Sequence, residues 1–308
     1  MKRIVSFFLI CSLMLLVSCG SFDITPTEGA ITFTDDMGKT ISVSSPSRVA
    51  VLFSSFADIW NLAGGSIHIT VGEAVSRGFA DENALLVDDG AGKKINTELL
   101  LSYAPDFILY SADIPAQAEA AEFVSQTMGI PTAGFRVETV YDYLRVLKIC
   151  TDITGSMDAY ETYGECVLQE IESLLADIPD GNEKKILFIR AGETVAKAKT
   201  AEEHFACVML NELGTYNIAD GARVLLDGLS VEEVLMQNPD MIFVSTMGNE
   251  EAAKKNMENI FSDKAWQTLD AVKNGAIYYL PKELFQYKPN AGWAEAYRYL
   301  TEIVYDET

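Results

Sequence analysis

Histidine is the scarcest chemistry-bearing side chain in this sequence, with two in 308 residues. A His-rich metal centre is thereby excluded. Basic residues are also few, 23 Lys+Arg against 45 Asp+Glu, and the formal net charge is −22. Nucleic-acid binding needs basic stripes that neutralise phosphate, and none is visible. The common enzyme signatures are missing too: no G-x-S-x-G, no H-E-x-x-H, no Walker A and no C-x-x-C. Gly90-Ala-Gly-Lys-Lys94 lacks the spacing and the hydroxyl of a phosphate loop and reads as a turn. Beyond residue 18 no apolar run reaches the length that spans a bilayer.

What is present is a globular composition, 49% hydrophobic and 22% charged, in a length that suits two lobes with their own cores. Lys2 and Arg3 precede the apolar run Ile4 to Val17, which is short for a membrane span and right for a signal-peptide core. The run ends in Leu16-Val-Ser-Cys-Gly20, which resembles a bacterial lipobox. Residues 1–18 are then a signal peptide, Cys19 is the lipidated first mature residue, and 19–30 is a linker from lipid to domain. Cys11 leaves with the signal. Cys150, Cys166 and Cys207 remain, an odd count with no tight spacing. That leaves two readings, buried free thiols or a Cys150–Cys166 bridge beside one free thiol.

Ile31–Thr34 and Thr40–Val43 alternate around Asp35-Asp-Met-Gly38, a hairpin signal. Seven β-type runs follow, at 49–52, 68–71, 106–110, 130–133, 185–190, 241–244 and 276–280. Helical stretches separate them. Pro115 opens the helix over 116–128 and Gly129 closes it. Thr200 and Glu203 form a capping box ahead of 205–213. Alternation of this kind implies βαβ units and parallel sheets. It pauses once, over Ser156 to Ile178, where the pattern predicts one long helix. The expected architecture is therefore α/β: two Rossmann-like lobes, 31–155 and 180–308, joined by a single helix over 156–179, with a ligand cleft between the lobes.

Several segments resemble the substrate-binding proteins of bacterial ABC importers for iron complexes and cobalamin. The hairpin followed by Pro46-Ser-Arg-Val-Ala-Val-Leu52 is similar to that family's opening. Leu99-Leu-Leu-Ser-Tyr-Ala-Pro-Asp-Phe-Ile-Leu109 resembles its leucine-rich helix leading into a strand, and the 229–243 segment resembles the same step in the second lobe. Trp266-Gln-Thr-Leu-Asp-Ala-Val-Lys-Asn-Gly-Ala-Ile-Tyr278 resembles its W-x-x-L-x-A-V-K-N-G-x-V-Y segment. The resemblance implies a lipid-anchored, extracytoplasmic binding protein on the outer face of the cell membrane or in a periplasm. It would be a monomer without a cofactor or catalytic residues of its own. Its cargo would be a metal chelate, a ferric siderophore first, then haem or a corrinoid, handed to an ABC permease and its ATPase. Family members use one glutamate per lobe against the permease. Glu232 in Ser230-Val-Glu232 matches that position in the second lobe, and Glu119 falls nearest in the first, with Gln117 as the alternative register. A surface enzyme or a sensory, partner-recruiting lipoprotein would reuse the same fold.

Ligands in open α/β sheets lie beyond the carboxyl ends of strands, where helix N-termini also point. Those ends place Ser54, Ser55, Phe56, Arg77 and Tyr110 in the first lobe, and Arg190, Met247, Tyr287 and Lys288 in the second. Lys197 and Lys199 cluster with His204, which is expected to be exposed in a first turn, the other reading being a haem ligand. His68 and Trp60 are expected to be structural, and Trp293 stands between cleft edge and core. The set joins aromatic faces, hydroxyls and cations, which suits an anionic chelate. Arg190 would serve it, or else pair with Glu193.

Overall fold

The computed structural model describes residues 29–89, 94–179, 183–222 and 230–305. The signal peptide, Cys19 and nearly all of the linker lie outside the described residues. The hairpin forms as expected, β1 (Ile31–Thr34) antiparallel to β2 (Thr40–Val43). Asp35 fixes its turn, accepting from the N–H groups of Met37 (3.0 Å) and Lys39 (2.8 Å), while Gly38 takes φ +77°. The other oxygen of Asp35 accepts from Gly134 N–H at 3.0 Å and pins the hairpin to the first lobe.

That lobe is built on a parallel sheet ordered β5-β4-β3-β6-β7. Its strands are β3 (Val49–Val51), β4 (Ile69–Thr70), β5 (Leu85–Leu86), β6 (Phe107–Ser111) and β7 (Thr132–Phe135). β3, β6 and β7 are buried along their whole length, because helices cover both faces of the sheet. The second sheet runs β10-β8-β11-β12 in parallel, from β8 (Lys185–Ala191), β10 (Tyr216–Asn217), β11 (Met241–Thr246) and β12 (Ile277–Tyr279). The short β9 (Ala196–Ala198) pairs antiparallel with the end of β8. β5, β9 and β10 are too short to show as patterns in the sequence.

The joining helix runs over 157–176 as Met157–Tyr160, a π turn at Glu161–Glu165, and Cys166–Ala176. Gly164 sits in the π turn, where a Cβ would come within 3.2 Å of Leu144 and Tyr160. The wider turn and the missing side chain let this helix lie close against Val140–Thr154. Val167 and Ile171 from it join the inner faces of both sheets, Val49, Val51 and Phe107 with Ile186, Phe188 and Phe243, into one continuous core. The outer face of each sheet has a separate core.

One expectation changes, and the choice between the two cysteine readings is decided. The helix after β9 starts at Phe205 with His204 as its N-cap, while Thr200 and Glu203 form only a turn. The Cys150–Cys166 bridge does not form: Cys150 and Cys207 are buried thiols, Cys166 is exposed, and all three are free. Among the described residues no helix is long and apolar enough to cross a membrane.

Candidate functional site

In each sheet the chain leaves the first strand to one side and returns on the other. The strand order therefore reverses between β3 and β6, and again between β8 and β11. Crevices open at such switch points. Here the two crevices face one cavity of about 720 Å³. Phe53, Ser54, Ser55 and Phe56 enter it from the end of β3, and Ser111, Asp113 and Ile114 from the end of β6. Arg190 and Gly192 come from the end of β8, Met247 and Gly248 from the end of β11. Gln286, Tyr287 and Lys288 complete the second wall, held in place by Ser245 Oγ donating to Phe285 O at 3.2 Å.

The two walls carry opposite charge. Among the described residues no lysine or arginine of the first lobe lines the cavity, but Glu73, Asp113 and Glu138 do. The second wall presents Arg190, Lys282 and Lys288, together with Glu193 and Glu203. Every acid of the first wall is already engaged. Glu73 accepts from Ser54 Oγ, Asp113 pairs with Arg136 at 2.9 Å, and Glu138 pairs across the cavity with Lys288 Nζ at 2.9 Å. Arg190 is different. It forms no ion pair among the described residues, with Glu193 or any other acid, and its Nε is buried without a hydrogen-bond partner. Burial pulls its pKa down, against a smaller upward pull from Glu138. Ser55 Oγ and Gln286 Oε1 are likewise buried and unpartnered. Buried polar groups are normally satisfied, and these three atoms, like Arg77 Nε, Thr246 Oγ1, Asn290 Oδ1 and Trp293 Nε1, have no hydrogen-bond partner among the described residues.

The structure therefore brings Ser54, Ser55, Phe56, Arg190, Met247, Tyr287 and Lys288 to the cavity. Four of the expected residues stand elsewhere. Tyr110 is buried in the outer core of the first lobe, its ring laid across Gly134 of the paired strand β7. Burial raises its hydroxyl to about 12. Arg77 does not line the cavity. It reaches out of its own lobe to stack on Tyr287, 3.8 Å from the ring centroid, with Phe79 on its flank and Glu283 at 3.5 Å. Lys199 pairs with Glu203 at 3.0 Å, and Lys197 is exposed on β9. Both project from the sheet face that carries Arg190, yet neither lines the cavity.

His204 reverses its expectation. It is buried, 5% exposed, and it lines the cavity. Burial, then the nearby cations Arg190, Lys288 and Lys199, hold its pKa at about 3, so it is neutral at ordinary pH. Trp293 is resolved as core, packed edge-on against Phe205. Trp60 is core and His68 is exposed, away from the cavity. Sequence reasoning missed Glu138, Lys282 and Phe205. Glu138 lies just past the end of β7, where the strand-end rule finds it once β7 is known to run to Phe135 and not to stop at 133. Among the described residues no cluster of His, Cys, Asp and Glu is arranged to hold a bare metal ion.

The lobes are tied beside the cavity. Asn290 Nδ2 donates to Ser55 O and to Asp58 Oδ2, both at 2.8 Å. Burial raises the pKa of Asp58, with the Asn290 hydrogen bond and Arg77 pulling the other way. Glu232 and Glu119 are exposed, Glu232 in the first turn of the Ser230-capped helix Val231–Gln237. Gln117 is buried and its Oε1 accepts from Ser111 N at 3.0 Å, so it is not a surface position.

Comparison with family models settles the class of the chain, since the one described as periplasmic binding protein matches residues 49–284. The chain belongs to that family. Periplasmic binding proteins of this family are substrate-binding proteins and not enzymes; they work outside the cytoplasm with ABC permeases. A search of the curated proteins found no match. Solved structures do match. SirA of Staphylococcus aureus, complexed with staphyloferrin B, is 19% identical with a TM-score of 0.66, covering 90% of this chain and 97% of its own. The siderophore binding protein BauB, bound to two molecules of acinetobactin and ferric iron, is 15% identical with a TM-score of 0.70, covering 89% and 97%. IsdE of S. aureus, complexed with heme, is 14% identical with a TM-score of 0.68, covering 84% and 99%. At these identities the likeness establishes a common bilobal fold.

Proposed function

We propose that this periplasmic binding protein captures an anionic metal chelate, a ferric siderophore before haem or a corrinoid, and delivers it to an ABC importer. The observation that carries the reading is Arg190, a guanidinium at the wall of an interlobe cavity with a buried Nε and no partner among the described residues. In a chain of net charge −22, an anion is held only by fixed local cations. The cavity volume suits an organic chelate, and the aromatic faces of Phe53, Phe56 and Tyr287 suit its shell. The solved relatives SirA and BauB, with siderophores bound, support the same choice. The protein needs no cofactor for this, and it acts as a monomer.

Fluorescence titration with ferric citrate, a ferric catecholate, hemin and a cobalamin tests the reading. Saturable binding of a ferric chelate, recovered unchanged, is expected. Turnover of the bound molecule, or binding of none of the four, would contradict it.

The anchor and the docking contacts belong to the same proposal. The lipobox makes Cys19 the lipid-bearing residue, and Cys19→Ala should release the protein from the membrane fraction or block its processing. Unchanged processing and retention would remove the anchor. Exposed Glu232 and Glu119 meet basic residues of the permease in this reading. Glu232→Lys should impair uptake while leaving cargo affinity intact, and undiminished uptake would remove that contact.

A further inference from the structure

The imidazole of His204 is held more tightly than a surface histidine. Phe188 and Phe205 flank its ring, with centroids 4.6 and 4.9 Å away. As N-cap of Phe205–Glu212 it takes the N–H of Ala206 on Nδ1 at 3.2 Å. A ring nitrogen that accepts from a backbone N–H carries no hydrogen of its own. The single hydrogen of a neutral imidazole must then sit on Nε2. Burial first, and then the cations Arg190, Lys288 and Lys199, keep the ring neutral far below the usual histidine range, and a second proton on Nδ1 would also oppose the Ala206 N–H. Nε2 makes no hydrogen bond to any described residue, although the side chain lines the cavity. The cavity therefore meets an N–H donor at His204, and no nitrogen lone pair.

We propose that His204 donates Nε2–H to an oxygen of the cargo and does not ligate its metal. The inference rests on the functional reading above and narrows it. The metal arrives with its coordination sphere filled by an oxygen-rich anionic chelator, and the protein grips that chelator through Arg190 and His204. Iron that needs an imidazole lone pair, as in a tetrapyrrole with an open axial position, finds none at this residue.

The ring tautomer is readable in the free, full-length protein by long-range proton–nitrogen NMR with labelled histidine, using His68→Gln to assign the only other signal. Nε2–H is expected. Ferric citrate and a ferric catecholate are then titrated into two variants. His204→Gln places an amide N–H near the old Nε2 and should bind within about threefold of wild type, whereas His204→Leu removes the donor and should lose about tenfold or more. The visible spectrum of added hemin should be the same with wild type and His204→Gln. An Nδ1–H tautomer, a glutamine variant as weak as the leucine variant, or a hemin spectrum that depends on His204 would each overturn the inference. Should His204→Leu not fold, the tautomer and the glutamine variant still decide. Wild-type protein that binds none of the probes overturns the functional reading itself, and this role with it; a bound chelate with the Nδ1–H tautomer overturns only the role of His204.

Discussion

The two walls of the cavity are built by the same strand-end geometry and end in opposite electrostatic states. The first wall offers hydroxyls, aromatic faces and three carboxylates, each already engaged. The second offers a guanidinium with no ion pair among the described residues, two lysines of which Lys288 is the one paired with Glu138, two glutamates and a buried neutral imidazole. Arg77, a first-lobe cation beside the crevice, stacks across the lobes on Tyr287 and donates to Ser54 Oγ at 3.2 Å. The fold thus supplies two equivalent crevices, and the side chains make one a shape wall and the other a charge wall. A ligand with an apolar or aromatic shell and clustered anionic oxygens fits that division.

Removing the unpaired charge breaks the division most directly. Arg190→Ala should weaken binding of a ferric chelate by ~2–5 kcal/mol, at least tenfold, with little loss of thermal stability in the empty protein. Calorimetric titration checks it, and an unchanged affinity would return Arg190 to an ordinary surface role.

The tie between the walls comes next. Asn290→Ala strips both hydrogen bonds from Ser55 O and the buried side of Asp58, and should cost ~1–3 kcal/mol in thermal unfolding. Because one core and one helix already join the lobes, ligand should change the radius of gyration of the wild type only slightly. A clear contraction in small-angle scattering on saturation would show the ties to be loose.

The most gradual effect is in pH, spread over several units. His204 has its folded pKa at about 3, below the ordinary 6.5. The unfolded chain therefore binds a proton first on acidification, and folding stability falls as pH drops from about 6.5 towards 3, by at most about 1.4 kcal/mol per pH unit. Asp58, behind the first wall, has a raised pKa and works in the opposite sense, gaining stability as pH falls through its raised value. The difference between wild type and His204→Gln in denaturant unfolding across pH isolates the histidine. Parallel profiles would place His204 in a wetter setting than its burial indicates.

Much of this was legible in the sequence, for physical reasons. Short apolar runs between capped helices predict parallel strands, and the ends of those runs locate Phe53 to Phe56, Arg190, Met247 and Tyr287 to Lys288. What stayed hidden depends on contacts distant in the chain. Tyr110 ends a strand like the others, but its ring covers the bare Gly134 next door. Arg77 follows a helix at the crevice, yet its partner Tyr287 belongs to the other lobe. His204 looked like an exposed first-turn residue because Thr200 and Glu203 imitate a cap, and Phe188 and Phe205 bury it instead. The π turn around Gly164 brings bare backbone close to Leu144 of the neighbouring helix, a contact that local pattern does not record.

Native mass spectrometry of the protein purified from its own host tests the central claim most directly, because a cargo held by an unpaired cation should survive gentle ionisation. The account predicts a bound small molecule that carries iron, bears net negative charge and is released intact on denaturation. A bound solute that is cationic or metal-free, or one that appears only as a product of turnover, would contradict it.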